Sequence, residues 1–265
     1  MISFSFTSQQ VADYRRDGYV IIDRLLDVET LELLRNIARA DRQLQLDADS
    51  RGDGEGGAVK ITVRNDLPTD DIYSAIVRAE SLVNAMETLL EGEVYHYHHK
   101  MILKEPREGG AWAWHQDYGY WYNYCCLFPL LSSCMIAVDQ ATRHNGCLQV
   151  LKGSHHLGRV DHGKVGDQTG ADPERVAAAR EQLELVHVEL EAGAALFFDC
   201  NLLHRSDQNK SDDPRWAFIC CYNAARNDPF KTVRHPRYTP LDKWPDARVA
   251  EIGRAQWASI GQASV

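Results

Sequence analysis

Trp112-Ala113-Trp114-His115-Gln116-Asp117 is the stretch on which the reading of this chain turns. It sets one imidazole and one carboxylate two residues apart. In extended backbone, residues i and i+2 project to the same face. His115 and Asp117 therefore offer two metal-ligating groups side by side, flanked by indoles. That is half of a metal site. The chain supplies a candidate third group in His204, within Leu202-Leu203-His204-Arg205-Ser206. A ligand pair early in a β-rich region and a lone histidine late in it can meet only through folding.

Strand signals surround this stretch. Residues 94–103 are rich in aromatics and histidines, with Tyr95-His96-Tyr97-His98-His99-Lys100-Met101 in sequence, and a Pro/Gly turn at 105–110 leads on to Trp112. Further β-prone runs stand at 133–138, 148–151, 185–190, 194–198 and 216–222, mostly separated by Gly/Asn/Asp/Ser clusters. Many short strands after a helical beginning predict a mainly β sandwich or jelly roll with helices on one side.

The beginning is helical by its own signals. Thr7-Ser8-Gln9-Gln10 reads as a capping box for a short helix that Gly18 ends, before an apolar strand at Tyr19-Val20-Ile21-Ile22. Asp27 caps a second helix whose apolar stripe is Val28, Leu31, Leu34, Ile37 and Ala38. Residues 49–57, Asp-Ser-Arg-Gly-Asp-Gly-Glu-Gly-Gly, read as a mobile surface loop, with a lid as the rival reading. No Lys-Ser/Thr follows the glycines, so this is not a phosphate-binding P-loop. Residues 70–90 read as one helix burying Ile72, Ile76, Val83, Met86, Leu89 and Leu90. Residues 172–184 read as a helical insertion opened by Pro173, and the tail carries Pro236, Pro240 and Pro245 before a last helix at 246–259. The expected organisation is one domain over 1–265, with a helical part at 1–92, a β core at 93–230 and a tail at 231–265. No internal repeat is visible.

Composition narrows the function classes. A net charge of −9 without a basic cluster argues against nucleic acid as a partner. The 7 cysteines contain no C-x-x-C pair, which fits buried thiols in a reducing compartment better than disulfides or structural zinc. The first residues lack a signal-peptide pattern and no apolar run has membrane-span length, so a cytoplasmic protein without membrane attachment is expected.

Two histidines and one carboxylate with open positions make the facial triad of non-haem Fe(II) oxygenases. Hydrolytic zinc uses similar ligands, but its frequent H-E-x-x-H helix is absent. Packed or surface histidines are the bland rival, and that reading is preferred for His96, His99, His144, His155, His156, His162, His187 and His235, and for His98 on its own merits. Arg215 adds weight to the metal reading. It opens an apolar strand, where a guanidinium is costly unless it meets an anion. A metal triad with a buried arginine is what a chelating keto acid requires, metal at the keto end and arginine at the distal carboxylate.

The chain resembles the phytanoyl-CoA dioxygenase family of Fe(II)/2-oxoglutarate-dependent oxygenases. The resemblance covers most of its length, through Tyr14-Arg15-Arg16-Asp17-Gly18-Tyr19-Val20, Lys100-Met101-Ile102-Leu103-Lys104, Trp114-His115-Gln116-Asp117, Asn145-Gly146-Cys147-Leu148-Gln149-Val150-Leu151-Lys152-Gly153-Ser154-His155, and His204-Arg205-Ser206 followed by Asn209, Ser211 and Arg215. It implies a double-stranded β-helix (jelly roll, cupin-like) core with the N-terminal helices packed on one sheet. It implies iron at His115, Asp117 and His204, and the 2-oxoglutarate tail at Arg215 and Ser206. It places Lys100 beside the metal on a strand that turns His98, Lys100 and Ile102 towards the site. Family members often carry asparagine at the position of Ile102, tryptophan at that of Met135 and proline at that of Lys152, so the co-substrate wall, where Met135 sits, is altered. Halogenating members replace the ligand carboxylate by a small residue; retention of Asp117 speaks against halogenation.

The resemblance thus implies an enzyme that uses 2-oxoglutarate and O₂ on a small-molecule substrate, by hydroxylation or oxidative ring closure. Tyr118, Tyr120, Trp121, Tyr122 and Tyr124 crowd the segment after the metal pair, and alternate spacing directs Tyr118, Tyr120 and their neighbour Trp121 at a substrate, with core packing as the rival reading. Their hydroxyls suit a saccharide or other natural product. The scattered Arg143, Arg159, Lys164 and Arg226 make no patch for coenzyme A phosphates, yet a fatty acyl-CoA hydroxylase and a non-catalytic jelly-roll binding protein stand as alternatives. A homodimer is left open.

Overall fold

A computed structural model describes residues 1–53, 56–165 and 168–263. The chain opens with α1 (Ser8–Asp17), β1 (Tyr19–Ile22), α2 (Val28–Ala40), α3 (Arg42–Leu46), the antiparallel pair β2 (Asp49–Gly52) and β3 (Ala58–Arg64), α4 (Ile72–Arg78) and α5 (Glu80–Leu90). Then follow β4 (Val94–Lys104), β5 (Trp112–His115), α6 (Asp117–Trp121), β6 (Leu131–Ala137), β7 (Leu148–Leu151), β8 (His162–Val165), β9 (Gln168–Ala171) and α7 (Pro173–Gln182). The last elements are β10 (Leu185–Val188), β11 (Ala195–Asp199), β12 (His204–Ser206), β13 (Arg215–Ala224) and α8 (Ala247–Ala263).

Local chemistry fixes the first helices. Thr7 accepts the Gln10 N–H while the Gln10 side chain accepts the Thr7 N–H, and Gly18 closes α1 at φ 84°. Such a cap is worth about 1 kcal/mol. Asp27 caps α2, which buries Leu33, Leu34, Ile37 and Ala38. Val28 does not belong to that stripe: it is 70% exposed, because the first helical residue sits on the solvent side of the turn.

The strands form a seven-stranded sheet in the order β1-β11-β6-β13-β4-β3-β2 and a four-stranded sheet in the order β10-β7-β12-β5. The pleat divides each central strand between two cores. In β13, Trp216, Phe218, Cys220 and Tyr222 pack with Leu34, Ile37, Ile76 and Met86 of the helices, whereas Ala217, Ile219 and Cys221 pack with Leu148, Val150 and Val188 of the smaller sheet. This is the jelly roll with helices on one sheet. Deleting one such side chain, as in Leu34→Ala, costs about 2–5 kcal/mol.

Several expectations are corrected. The first 92 residues are not only helical, since β1, β2 and β3 extend the larger sheet on both sides. Residues 49–52 are strand, held by register pairs such as Asp49↔Ile61 and Arg51↔Val59. Gly54 and Glu55 of the expected loop lie outside the described residues. The helix expected over 70–90 breaks at Ala79, where Trp244 of the tail docks: its N–H donates to the Arg78 carbonyl and its carbonyl accepts the Glu80 N–H, each at 2.8 Å. All the cysteines are free thiols, and no described helix is long and apolar enough to cross a membrane.

Candidate active site

β5 and β12 are neighbours in the smaller sheet, and their register sets His115 directly opposite His204, with ring centroids 4.0 Å apart. His115 Nδ1 lies 2.8 Å from the Ala113 carbonyl and His204 Nδ1 lies 2.9 Å from the Leu202 carbonyl. A carbonyl only accepts, so each Nδ1 carries the proton and each Nε2 is left as a bare lone pair. Burial, then the neighbouring His204, holds the His115 imidazole well below its usual titration range, and burial also lowers His204. Both rings are thus in the neutral form that a metal takes.

Asp117 is the first residue of α6, not the continuation of a strand. The bend that turns it back to His115 is clamped by Gln116, which is fully buried. Its amide donates to the Gly158 and Asn201 carbonyls, each at 2.7 Å, its side-chain oxygen accepts the Val160 N–H at 2.7 Å, and its backbone N–H donates to His162 at 2.9 Å. Donor atoms of His115, Asp117 and His204 all lie within 4.8 Å of one another. Ser133 donates to the Asp117 carboxylate at 3.3 Å and the Lys100 ammonium stands 3.6 Å away. Burial works against that ammonium, but Asp117 and Cys221 together outweigh it and the Lys100 pKa ends raised.

A cavity of about 140 Å³ opens beside these three groups. Alternate residues of β4, His98, Lys100, Ile102 and Lys104, line it. Met135 and Ile219, cross-strand partners in the larger sheet, form part of its apolar wall. Arg215 also lines it, is 4% exposed, and its Nε has no hydrogen-bond partner. Burial pushes its guanidinium down to about 10. Lys104, the register partner of Arg215, is fully buried and donates to Ser206 Oγ at 2.9 Å and to the Asp207 carbonyl at 2.5 Å. Burial, then Arg215, pushes Lys104 well below its ordinary range. A protonated Lys104 can only donate, so Ser206 must accept from it and keeps its own O–H free for another acceptor. A buried guanidinium, the Lys104 amine and a free hydroxyl form a socket for an anion.

The aromatic segment needs correction. Because 117–121 is helix, alternate spacing does not apply. Tyr118 turns away, and its hydroxyl donates to the Cys126 and Leu127 carbonyls at 3.2 and 2.7 Å. Tyr120, Trp121 and Tyr124 line the cavity. The cavity is also lined by residues to which the sequence alone assigns no site role, the charged or polar ones among them including Lys104, Arg51, Arg234 and His235. Lys104 ends its strand beside a Pro turn, and its place on the His98 face was the available signal. Arg51 lies in a Gly-rich stretch with loop composition, Arg234 in the irregular tail, and His235 stacks on His98 with centroids 4.6 Å apart. Gln116, between the two ligands, carries no local signal of its clamping role, because its partners are distant in sequence.

These residues fit iron and a keto acid: two freed Nε2 atoms, one carboxylate, and a buried guanidinium awaiting an anion. Comparison with known proteins agrees. L-proline trans-4-hydroxylase of Streptomyces griseoviridis is 29% identical over 88% of this chain and 92% of its own. Ectoine dioxygenase of Halomonas elongata is 29% identical over 91% of this chain and 79% of its own. Among solved structures, EctD from S. alaskensis with 2-oxoglutarate and 5-hydroxyectoine shares the fold at TM-score 0.74 and 22% identity, over 91% of this chain and 89% of that one. The carbocyclase SnoK from nogalamycin biosynthesis does so at TM-score 0.68 and 19% identity, over 90% and 100%. The pattern of the family described as "Phytanoyl-CoA dioxygenase (PhyH)" matches residues 14–217, and the chain belongs to that family of Fe(II)/2-oxoglutarate-dependent dioxygenases.

Proposed function

We propose that this enzyme oxidises a C–H bond of a small metabolite, by hydroxylation or oxidative ring closure, with succinate and CO₂ as co-products. One observation carries the reading: three metal-ligating atoms within 4.8 Å share a cavity with a buried guanidinium whose Nε has no hydrogen-bond partner. His115, His204 and Asp117 hold the metal. Iron bound there with 2-oxoglutarate supplies the oxidising power for an unactivated C–H bond. Arg215 and the Ser206 hydroxyl take the distal carboxylate of the co-substrate. Lys100 balances Asp117 and holds it in place. Met135 and Ile219 keep water from the co-substrate. Trp121, Tyr120 and His98 face the substrate, and Tyr118 is relieved of that role by its position. An L-proline hydroxylase and ectoine dioxygenases among the relatives support a small polar metabolite over a long acyl chain.

The test is turnover. Purified enzyme with Fe(II), 2-oxoglutarate, O₂ and a panel of small acids and sugars, L-proline and ectoine included, is expected to form succinate. Mass spectrometry should find one panel compound that gains an oxygen or loses two hydrogens. No succinate above the metal-free control across the panel, together with no metal-dependent 2-oxoglutarate binding, refutes the reading.

A further inference from the structure

The cations of the cavity exceed what metal and co-substrate can use. Arg51, Lys100, Lys104, Arg205, Arg215 and Arg234 line it, and Asp117 is its sole carboxylate among the described residues. A divalent metal and the dianion of 2-oxoglutarate cancel each other, so the excess persists when both are bound. Four of the cations are accounted for: Lys100 faces Asp117, Lys104 is spent on Ser206 and the Asp207 carbonyl, Arg205 pairs with the Asp207 carboxylate, and Arg215 awaits the co-substrate. Arg51 and Arg234 form no ion pair among the described residues. They lie at the solvent end, since Arg51 is half-buried and Arg234 exposed, whereas the metal-ligating residues are buried. The Arg51 guanidinium stands 5.4 Å from the Trp112 ring centroid, so a flat indole backs it. Arg234 precedes His235, which stacks on His98, and the buried His98 Nδ1 has no partner.

Neither of these two charges is neutralised by the protein, and Arg51 gains only its contact with the Trp112 ring. They become favourable when an anion enters. A guanidinium fork matches the two oxygens of a carboxylate, and an uncharged sugar would leave both arginines unmatched. We propose that the substrate is a small carboxylic acid whose carboxylate pairs with Arg51, with Arg234 adding a second positive charge and His98 Nδ1 contacting a neighbouring polar group. This rests on the oxygenase reading and narrows its substrate class from natural products in general to small acids.

The experiment is calorimetric binding to the Fe(II)- and 2-oxoglutarate-loaded enzyme under anaerobic conditions. The probes are small linear and cyclic acids, each beside its carboxamide, with L-proline and L-prolinamide as the first pair. At least one acid is expected to bind about tenfold or more tightly than its amide. Arg51→Gln should abolish that preference, Arg51→Lys should restore part of it, and Arg234→Gln should reduce it less. Unchanged 2-oxoglutarate affinity shows that each variant is folded. An enzyme that binds 2-oxoglutarate but no acid of the panel overturns the proposal, as does an acid bound equally by the parent and Arg51→Gln. Tighter binding of inorganic phosphate, coenzyme A or a neutral sugar than of every acid overturns it too. Failure of metal-dependent 2-oxoglutarate binding in the parent sinks the oxygenase reading itself, and the proposal with it.

Discussion

Replacing Arg215 by methionine should move stability and co-substrate binding in opposite directions. The guanidinium is buried, its Nε is unpartnered, and burial depresses it from 12.5 to about 10. A base with a lowered folded pKa costs stability at every pH below that value, and a depression of this size corresponds to about 3 kcal/mol, as an upper figure. Methionine fills much of the same volume without charge. The metal-loaded variant without co-substrate should therefore unfold at a higher denaturant midpoint, by as much as about 3 kcal/mol less any loss of packing. Binding should suffer. Losing one partner of a buried charge pair costs about 2–5 kcal/mol, or upwards of thirtyfold in affinity. At a co-substrate concentration of about 100 times the parent dissociation constant, the parent gains about 2.7 kcal/mol and the variant less than about 1 kcal/mol. The stability gap should then shrink by about 2 kcal/mol. Chemical denaturation with and without 2-oxoglutarate reads both effects, and calorimetry reads the affinity directly. A variant that binds 2-oxoglutarate like the parent removes Arg215 as its anchor. A co-substrate-free variant that is less stable than the parent shows that the guanidinium is compensated in a way the structure does not display.

Gln116→Leu abandons three side-chain hydrogen bonds, and should cost about 3 kcal/mol of stability and at least about tenfold in Fe(II) affinity by titration; unchanged metal affinity would mean that the bend holds without its clamp. Tyr118→Phe should cost about 1–2 kcal/mol in denaturant unfolding and leave the substrate KM unaltered; an altered KM would return Tyr118 to the site. Lys104→Met should weaken 2-oxoglutarate about tenfold, and less in a Ser206→Ala background, because the lysine acts partly by aiming that hydroxyl; additive losses in the double-mutant cycle would separate the two residues. Burial raises the Asp199 carboxyl from 3.8 to about 6, so the folded state holds the proton better, and stability is highest below the unfolded value and falls as pH rises through the window up to about 6. Asp199→Asn should therefore gain on the parent by as much as about 3 kcal/mol between about pH 4 and about pH 7 in urea unfolding, and a constant difference across that window would refute the shift.

The legible parts of this site were those in which residue identity and a two-residue period carry the information. His115, Asp117, His204 and Arg215 could be picked out because each is an expensive residue in its setting. Alternation along β4 likewise indicated the cavity face of His98, Lys100 and Ile102. Other features are not local. The five-residue helix α6 is set by Gln116, whose partners come from Gly158, Val160 and Asn201, so tyrosines that look alternating are in fact wound. The Ala79 break is filled by Trp244, far along the chain. Asp49-Ser50-Arg51-Gly52 has poor strand propensity and is strand only because β3 pairs with it. Arg51 reaches the cavity by that pairing, so the same nonlocal contact hid both the strand and the residue.

The position of β12 explains how one short strand can serve both ends of a keto acid. It carries His204 and Ser206 two residues apart, and both line the cavity. Two strand steps span about 6.6 Å. In the proposed reading, His204 meets the metal end of the co-substrate and Ser206 meets its distal carboxylate, so the strand's own rise sets the span between the two subsites. That span suits a five-carbon diacid lying along it. The partner strands then fix each end separately. β5 brings His115 across from His204, while Lys104 of β4 reaches Ser206 from the larger sheet with Arg215 beside it. The two sheets are thereby tied at the co-substrate, and a change in their separation would alter the Lys104 contact before it altered the metal ligands, which belong to the smaller sheet and the turn that follows it. Selectivity for co-substrate length should accordingly be more sensitive to packing between the sheets, at Met135, Ile219 and Leu148, than metal affinity is.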